Sequence, residues 1–225
     1  MAINIAVFVP EGIVISSDCL SEICNNDDGF TQTNANRTFT IWDKCIISFI
    51  HADYPNGLPY GYYINKFKEQ YFPQDISIRE LSVLITNFFK EQYKLDNIVY
   101  YIAGFDKKDN SFVPFLFLKE RENFQVINQD LNQKEVYNYH AIGRTYWVNK
   151  VLLKTEFYLE DSKENIAFDA VDIDFSKYSI DDAIQFSMQL ISFSATLDNF
   201  AQIKQSISMN TTTAVITSSD GCKLI

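Results

Sequence analysis

The chain has little basic charge and none of it is clustered. Among its 19 Lys and Arg residues no group of five or more occurs, and 29 acidic residues bring the formal net charge to −10. Nucleic acid and anionic membrane surfaces attract proteins through basic patches, so neither is an expected partner. No apolar run reaches bilayer length; the longest, such as residues 45–50, are strand-sized. The first residues lack a basic segment, an apolar signal core and a small-residue cleavage site, which points to the cytoplasm. Glycine and proline are sparse, at 7 and 5 residues, with no Ser/Gly linker and no repeat. A single domain over residues 1–225 is therefore expected. Cysteine is limited to Cys19, Cys24, Cys45 and Cys222. The C-x4-C spacing of the first pair is wider than a zinc knuckle, so reduced structural thiols are expected, with no metal and no cofactor.

What is present is apolar and aromatic: 47% and 15% of the chain, enough for a large core. Residues 3–9 and 13–20 form strand-like runs around Pro10-Glu11-Gly12, a hairpin at the very start. Residues 22–36, rich in Asn, Asp and Thr, read as an exposed loop or a loose hairpin end. Residues 38–41 and 44–50 predict a strand pair turning at Trp42-Asp43. Tyr63, Phe67 and Tyr71 are spaced as one helical stripe within residues 60–72, and this aromatic side is expected to form a contact surface. Ser77-Ile78-Arg79-Glu80 is a capping box ahead of a helix whose stripe is Leu81, Leu84, Ile85, Phe88 and Phe89. Four strands are expected at 98–105, 112–118, 124–128 and 136–142, joined by polar hairpin connectors. A helix over 145–160 and an acidic loop over 160–178 follow. Ser179-Ile180-Asp181-Asp182 opens a last helix to about residue 197, and 212–217 with 222–225 closes the chain as a hairpin. Strand groups separated by helix pairs imply an α+β protein. Two antiparallel sheets stack with helices outside, giving a four-layer α-β-β-α sandwich.

Several segments match one family in order. Glu11-Gly12-Ile13-Val14-Ile15-Ser16-Ser17-Asp18 is similar to a "dGvvlaaD" pattern, and Arg37 to Asp43 to a "kkifxId" strand with one residue added. Ala103-Gly104-Phe105-Asp106 with Val113-Pro114-Phe115-Leu116 resembles an "aGfD…p.ly" hairpin. Tyr139 to Gly143 resembles "yxaiGsg", Ser179 to Ala183 "sveeAi", and Ala214 to Gly221 "vavitkdG". Over roughly 210 residues the chain thus resembles the proteasome-subunit family of N-terminal-nucleophile hydrolases. The resemblance implies an amide-hydrolysing site in which a mature N-terminal Thr attacks and its own amine takes the proton.

Here that position falls on Ala2, counted back from Asp18, and no Ser, Thr or Cys occurs before Ser16. Removal of Met1 would expose a methyl group that cannot be acylated. The family's Lys aligns with Arg37, which stays charged and cannot exchange a proton as Lys does. Its supporting Ser aligns with Arg144, its later Asp with Asp198, and a second Ser with Ala201. The expected site is therefore vestigial, made of Ala2, Asp18, Arg37, Arg144 and Asp198, with Asp18 orienting Arg37 and Asp198 in a helix C-terminal loop. Ala52 lies near the family's oxyanion-hole Gly. Ser16, Ser17 and Cys19 are mid-strand and carry no free amine, and His51 and His140 have no evident triad partner. The resemblance implies a non-catalytic subunit that self-associates as a homo-oligomer, in a ring or another arrangement, and acts as a structural or binding subunit. The alternative is an active amide hydrolase or threonine-type peptidase relative with an atypical or processed nucleophile. A third reading is a vacated cleft binding an anionic peptide or small molecule between Arg37 and Arg144.

Overall fold

A computed structural model of the chain describes residues 2–24, 30–50, 57–72, 76–95, 98–108, 111–120, 123–129, 134–152, 155–159, 164–168, 172–201 and 207–225. In chain order the strands begin with β1 (Ile3–Val9), β2 (Gly12–Asp18), β3 (Leu20–Cys24), β4 (Phe30–Asn34), β5 (Thr38–Ile41) and β6 (Cys45–Phe49). Two helices follow, α1 (Tyr60–Gln70) and α2 (Ile78–Tyr93), then β7 (Tyr100–Lys108), β8 (Ser111–Glu120), β9 (Asn123–Val126) and β10 (Asn138–Gly143). The rest is α3 (Tyr146–Leu152), β11 (Thr155–Leu159), β12 (Glu164–Phe168), α4 (Ile180–Phe200), β13 (Thr211–Thr217) and β14 (Gly221–Leu224).

Two five-stranded antiparallel sheets result, in the orders β10-β1-β2-β13-β14 and β5-β6-β7-β8-β9, with β3-β4 and β11-β12 as separate hairpins. Alternation along β1 explains the layering. Ala6 and Phe8 point into the core between the sheets, with Ile13, Ile15, Ile46, Tyr101 and Leu116. Ile3, Ile5, Val7 and Val9 point the other way and pack with Ile191 and Ala195 of α4. Every residue of β1 and β2 is buried, as expected of strands covered on both faces. Below the second sheet, Phe49, Tyr60, Tyr63, Phe67, Phe88 and Phe89 form a third, aromatic core with α1 and α2. The α-β-β-α sandwich is thus the observed fold.

Both capping boxes are made. Ser77 and Glu80 satisfy each other's backbone amides at the start of α2, and Ser179 and Asp182 do the same at α4. Three local expectations are corrected. The stripe on α1 is its inner side: Tyr63 and Phe67 are 0% exposed, Phe67 rings meet Phe88 at 5.3 Å, and no contact surface exists there. Spacing identifies an apolar face, and α2 covers that face. The helix expected over 145–160 stops at Leu152, and residues 155–159 pair with 164–168 as a hairpin, which also takes up part of the expected loop. Thr-Glu-Phe-Tyr-Leu is rich in strand-forming residues, and this preference wins over helix continuation. Among the described residues no helix is long and apolar enough to cross a membrane.

At one end of the sandwich, a cleft of about 1200 Å³ is lined by Trp42, Lys44, Phe105, Phe112, Phe115 and Ile216, among others. The opposite end carries the residues singled out from the sequence.

Candidate functional site

At that end β1 begins, β2 and β10 finish and β5 starts. Ile3 pairs with Gly143, Asn4 with Ser17, and Asp18 with Thr211. Ala2 is 1% exposed. Its carbonyl accepts the Arg144 N–H at 2.9 Å. This contact depends on Gly143, whose φ is +97°; a Cβ there would stand 2.1 Å from the Ala2 oxygen. Only glycine takes that conformation and that approach without strain.

Asp18 is fully buried. One carboxylate oxygen accepts the Ile3 N–H at 3.0 Å and the other the Ser208 N–H at 3.3 Å. Arg37 is buried as well, and its carbonyl accepts the Phe49 N–H at 3.0 Å. Burial pushes the Cys19 thiol above its usual range, and the Thr212 hydroxyl 3.0 Å away pulls it down. The charges of Asp18 and Arg37 act on it in opposite senses, Asp18 raising its pKa and Arg37 lowering it. Cys19 is thereby held as a thiol, not as a nucleophilic thiolate.

The second acid of the site lies within a helix and not in a loop, which corrects the sequence expectation. Asp198 sits inside α4, which runs on to Phe200, and is 0% exposed. One oxygen accepts the Trp147 indole N–H at 2.9 Å, and the other lies 3.3 Å from Arg144 Nε. Arg144 therefore ties α4 to the β10–α3 junction through its side chain and to β1 through its backbone. Ala201 caps the C-terminal end of α4.

Below the site runs a chain of buried polar groups that the sequence reading missed. The hydroxyls of Ser17 and Thr38 lie 2.8 Å apart, and those of Thr38 and Ser48 2.7 Å apart. Asn4 donates to Ser48 Oγ at 2.8 Å and to the Phe49 carbonyl at 3.1 Å. All four side chains are 0% exposed and cross from the first sheet to the second. The available signal was polar residues inside otherwise apolar strands, such as Ser48 in Cys-Ile-Ile-Ser-Phe. Ser16 faces the other way, 2.7 Å from Ser187 of α4 and 2.8 Å from Thr213. Ser16 and Ser17 are thus both engaged in buried hydroxyl contacts.

His140 lies on the edge strand β10, away from these groups. Its Nδ1 is 2.5 Å from the Tyr101 hydroxyl, and burial lowers its pKa below the usual histidine value. His51 and Ala52 lie outside the described residues. Among the described residues, no group of three or more His, Cys, Asp or Glu is placed to hold a metal ion. Ala2, Asp18, Arg144 and Asp198 are linked through backbone and side-chain contacts at this end, where Arg37 is buried as well. The group holds charge and shape around residue 2, and residue 2 itself offers only a methyl.

No family model and no curated protein matches the chain. Among solved structures it is similar to Anbu from Hyphomicrobium sp. strain MC1, with a TM-score of 0.63 and 12% identity over 99% of this chain and 87% of that one. It is also similar to Anbu (ancestral beta-subunit) from Yersinia bercovieri, with a TM-score of 0.60 and 12% identity over 99% and 86% of the two chains. These findings correct the family read from the sequence. The structural neighbours are Anbu proteins, which are proteasome-like but a family distinct from the proteasome subunits. The local patterns that suggested proteasome subunits belong to the fold that these families share, and at 12% identity the likeness establishes that fold.

Proposed function

We propose that this chain is a non-catalytic subunit with an Anbu-like fold, a single domain over residues 1–225 that self-associates and serves as a structural or binding component. The observation that carries this reading is Ala2. At the strand start where N-terminal-nucleophile chemistry needs a hydroxyl or thiol, the side chain is a buried methyl. The surrounding polar groups are committed to holding the backbone. Asp18 binds two amides, and Arg144 pairs with Asp198 where the sequence resemblance would put a serine. The description of the Yersinia protein as an ancestral beta-subunit supports assembly as the working state. We place the protein in the cytoplasm, acting without a cofactor.

The test is intact-mass spectrometry after incubation with an electrophilic β-lactone probe, alongside light scattering for molar mass. The expected result is an unmodified chain in a multimer. A stoichiometric adduct on one hydroxyl, thiol or amine would restore the amide-hydrolase reading. A monomer at every concentration would remove the assembly half of the proposal.

A further inference from the structure

β10 is an edge strand: among the described residues it pairs with β1 alone. Its side chains alternate. Tyr139 and Ala141 pack towards α4, whereas Ile142 lies against the core between the sheets. His140 shares the inward side with Ile142, and there it meets Tyr101 of β7, in the second sheet. Tyr101 is 0% exposed. Its hydroxyl lies 2.5 Å from His140 Nδ1 and 3.3 Å from the His140 carbonyl. The two rings meet edge to face, at 5.8 Å and 90°. A second polar link, from Asn138 Nδ2 to the Ile127 carbonyl at 3.3 Å, holds the start of the strand. Past its end, the Arg144 N–H holds the Ala2 carbonyl and the Arg144 side chain holds Asp198.

We propose that Tyr101 and His140 form an acid-released latch, which clamps edge strand β10 to the second sheet and thereby steadies the Arg144 tie around residue 2. A phenol has one hydrogen to donate. Burial pushes the Tyr101 hydroxyl well above its usual range, so it keeps that hydrogen. Beside a neutral imidazole the hydrogen goes to Nδ1, and the ring proton sits on Nε2. An imidazolium carries hydrogens on both nitrogens. Nδ1 then donates, the tyrosine hydrogen must turn to the longer contact with the carbonyl, and a cation is left in a half-buried place. The charged groups on the surrounding elements are engaged elsewhere. Glu135 meets the Tyr137 hydroxyl, Lys119 donates to the Ile98 carbonyl, and Arg144 pairs with Asp198. Asp174 pairs with Lys177 at the short helical turn Phe175–Lys177, and β1 contributes no titratable side chain. Burial is accordingly the cause that lowers His140 below the usual histidine value. The closed form binds the proton less readily than the opened one, so proton uptake favours release of β10. The latch is shut above the unfolded value near pH 6.5 and loosens as pH falls below it. His140 and Gly143 belong to one extended strand, so its release frees the segment that leads to Arg144.

Hydrogen exchange read by mass spectrometry on the full chain tests this at pH 7.5 and 5.5. Rates are corrected for the intrinsic pH dependence of exchange, with β2 as the internal reference. Residues 138–144 should open about threefold to tenfold more at pH 5.5, tenfold being roughly the most that one proton with an unfolded value near 6.5 supplies over that range. In His140→Gln, which stays neutral, the rise should vanish, and carboxylate titrations common to both proteins cancel in the comparison. Tyr101→Phe should open more than wild type already at pH 7.5, with circular dichroism confirming that it folds. An equal rise in wild type and His140→Gln overturns the proposal, as does wild-type protection of 138–144 that is the same at both pH values. If His140→Gln does not fold, Tyr101→Phe decides, and wild-type protection in that variant at pH 7.5 overturns the latch. An acid response confined to 138–141, with the Arg144 amide unmoved, overturns the link to residue 2.

Discussion

Replacing Arg144 by Met keeps the aliphatic stem but removes the cation from the fully buried Asp198 carboxylate, which retains the Trp147 N–H. Two unit charges at the observed 3.3 Å attract by about 5 kcal/mol at an effective dielectric near 20. Much of that offsets the desolvation of the pair, yet removing one partner leaves the other charge buried, which costs about 3–5 kcal/mol. Arg144 is 19% exposed, so water screens part of the attraction and the expected loss lies near the lower figure, about 3 kcal/mol. Asp198→Leu should cost a similar amount. The double variant should cost less than the sum, with a coupling of about 1–3 kcal/mol. Urea unfolding followed by tryptophan fluorescence is the assay, since Trp147 touches Asp198 directly. If each single variant costs under about 1 kcal/mol and the two costs add, the pair behaves as a screened surface contact. The view of Arg144 as a structural tie would then be refuted.

Two further predictions concern the same end of the molecule and its edge strand. Gly143→Ala forces a left-handed conformation and a clash with the Ala2 carbonyl, so it should lower stability by more than about 1 kcal/mol, read as a drop in Tm; an unchanged Tm would show that β1 can shift at no cost. His140 has a folded-state pKa lowered by burial, so the unfolded chain binds the proton more readily. Its contribution is therefore complete above the unfolded value near pH 6.5 and is lost as pH falls below it, by at most ~1.4 kcal/mol per pH unit. The difference in unfolding free energy between wild type and His140→Gln should shrink from pH 8 to pH 5, and a flat difference would exclude the effect.

The elements legible in the sequence are those whose signals are local. Ser77 with Glu80 and Ser179 with Asp182 announce helix starts because both partners of each capping box lie within one turn. The first hairpin was equally clear, since its strands are adjacent and its turn is Pro-Glu-Gly. The failures share a different cause. The stripe of Tyr63 and Phe67 marks a face, but only the placement of α2 decides that this face is inside. Asp198 pairs with groups more than fifty residues earlier, and no local pattern shows that the helix continues past it or that an arginine waits there. The buried chain through Asn4, Thr38 and Ser48 assembles from three strands and has no motif. For the site itself, Ala2 and Asp18 were singled out only by counting along the family resemblance, and the use of Arg144 as a tie had no signal in the sequence. The family was misread because strand-and-turn patterns follow the fold, which distinct families share.

The polar chain from Ser17 to Asn4 also makes the sandwich mechanically unequal along its length. One end is riveted by hydrogen bonds that cross from sheet to sheet, and the other gapes around a cleft of about 1200 Å³. The sheets therefore behave as two jaws sharing a hinge. Thermal opening should begin at the mouth, with amides around Phe105 and Ile216 exchanging before those beside Ala6 and Ser48, and the residues around Ala2 should be the last to part.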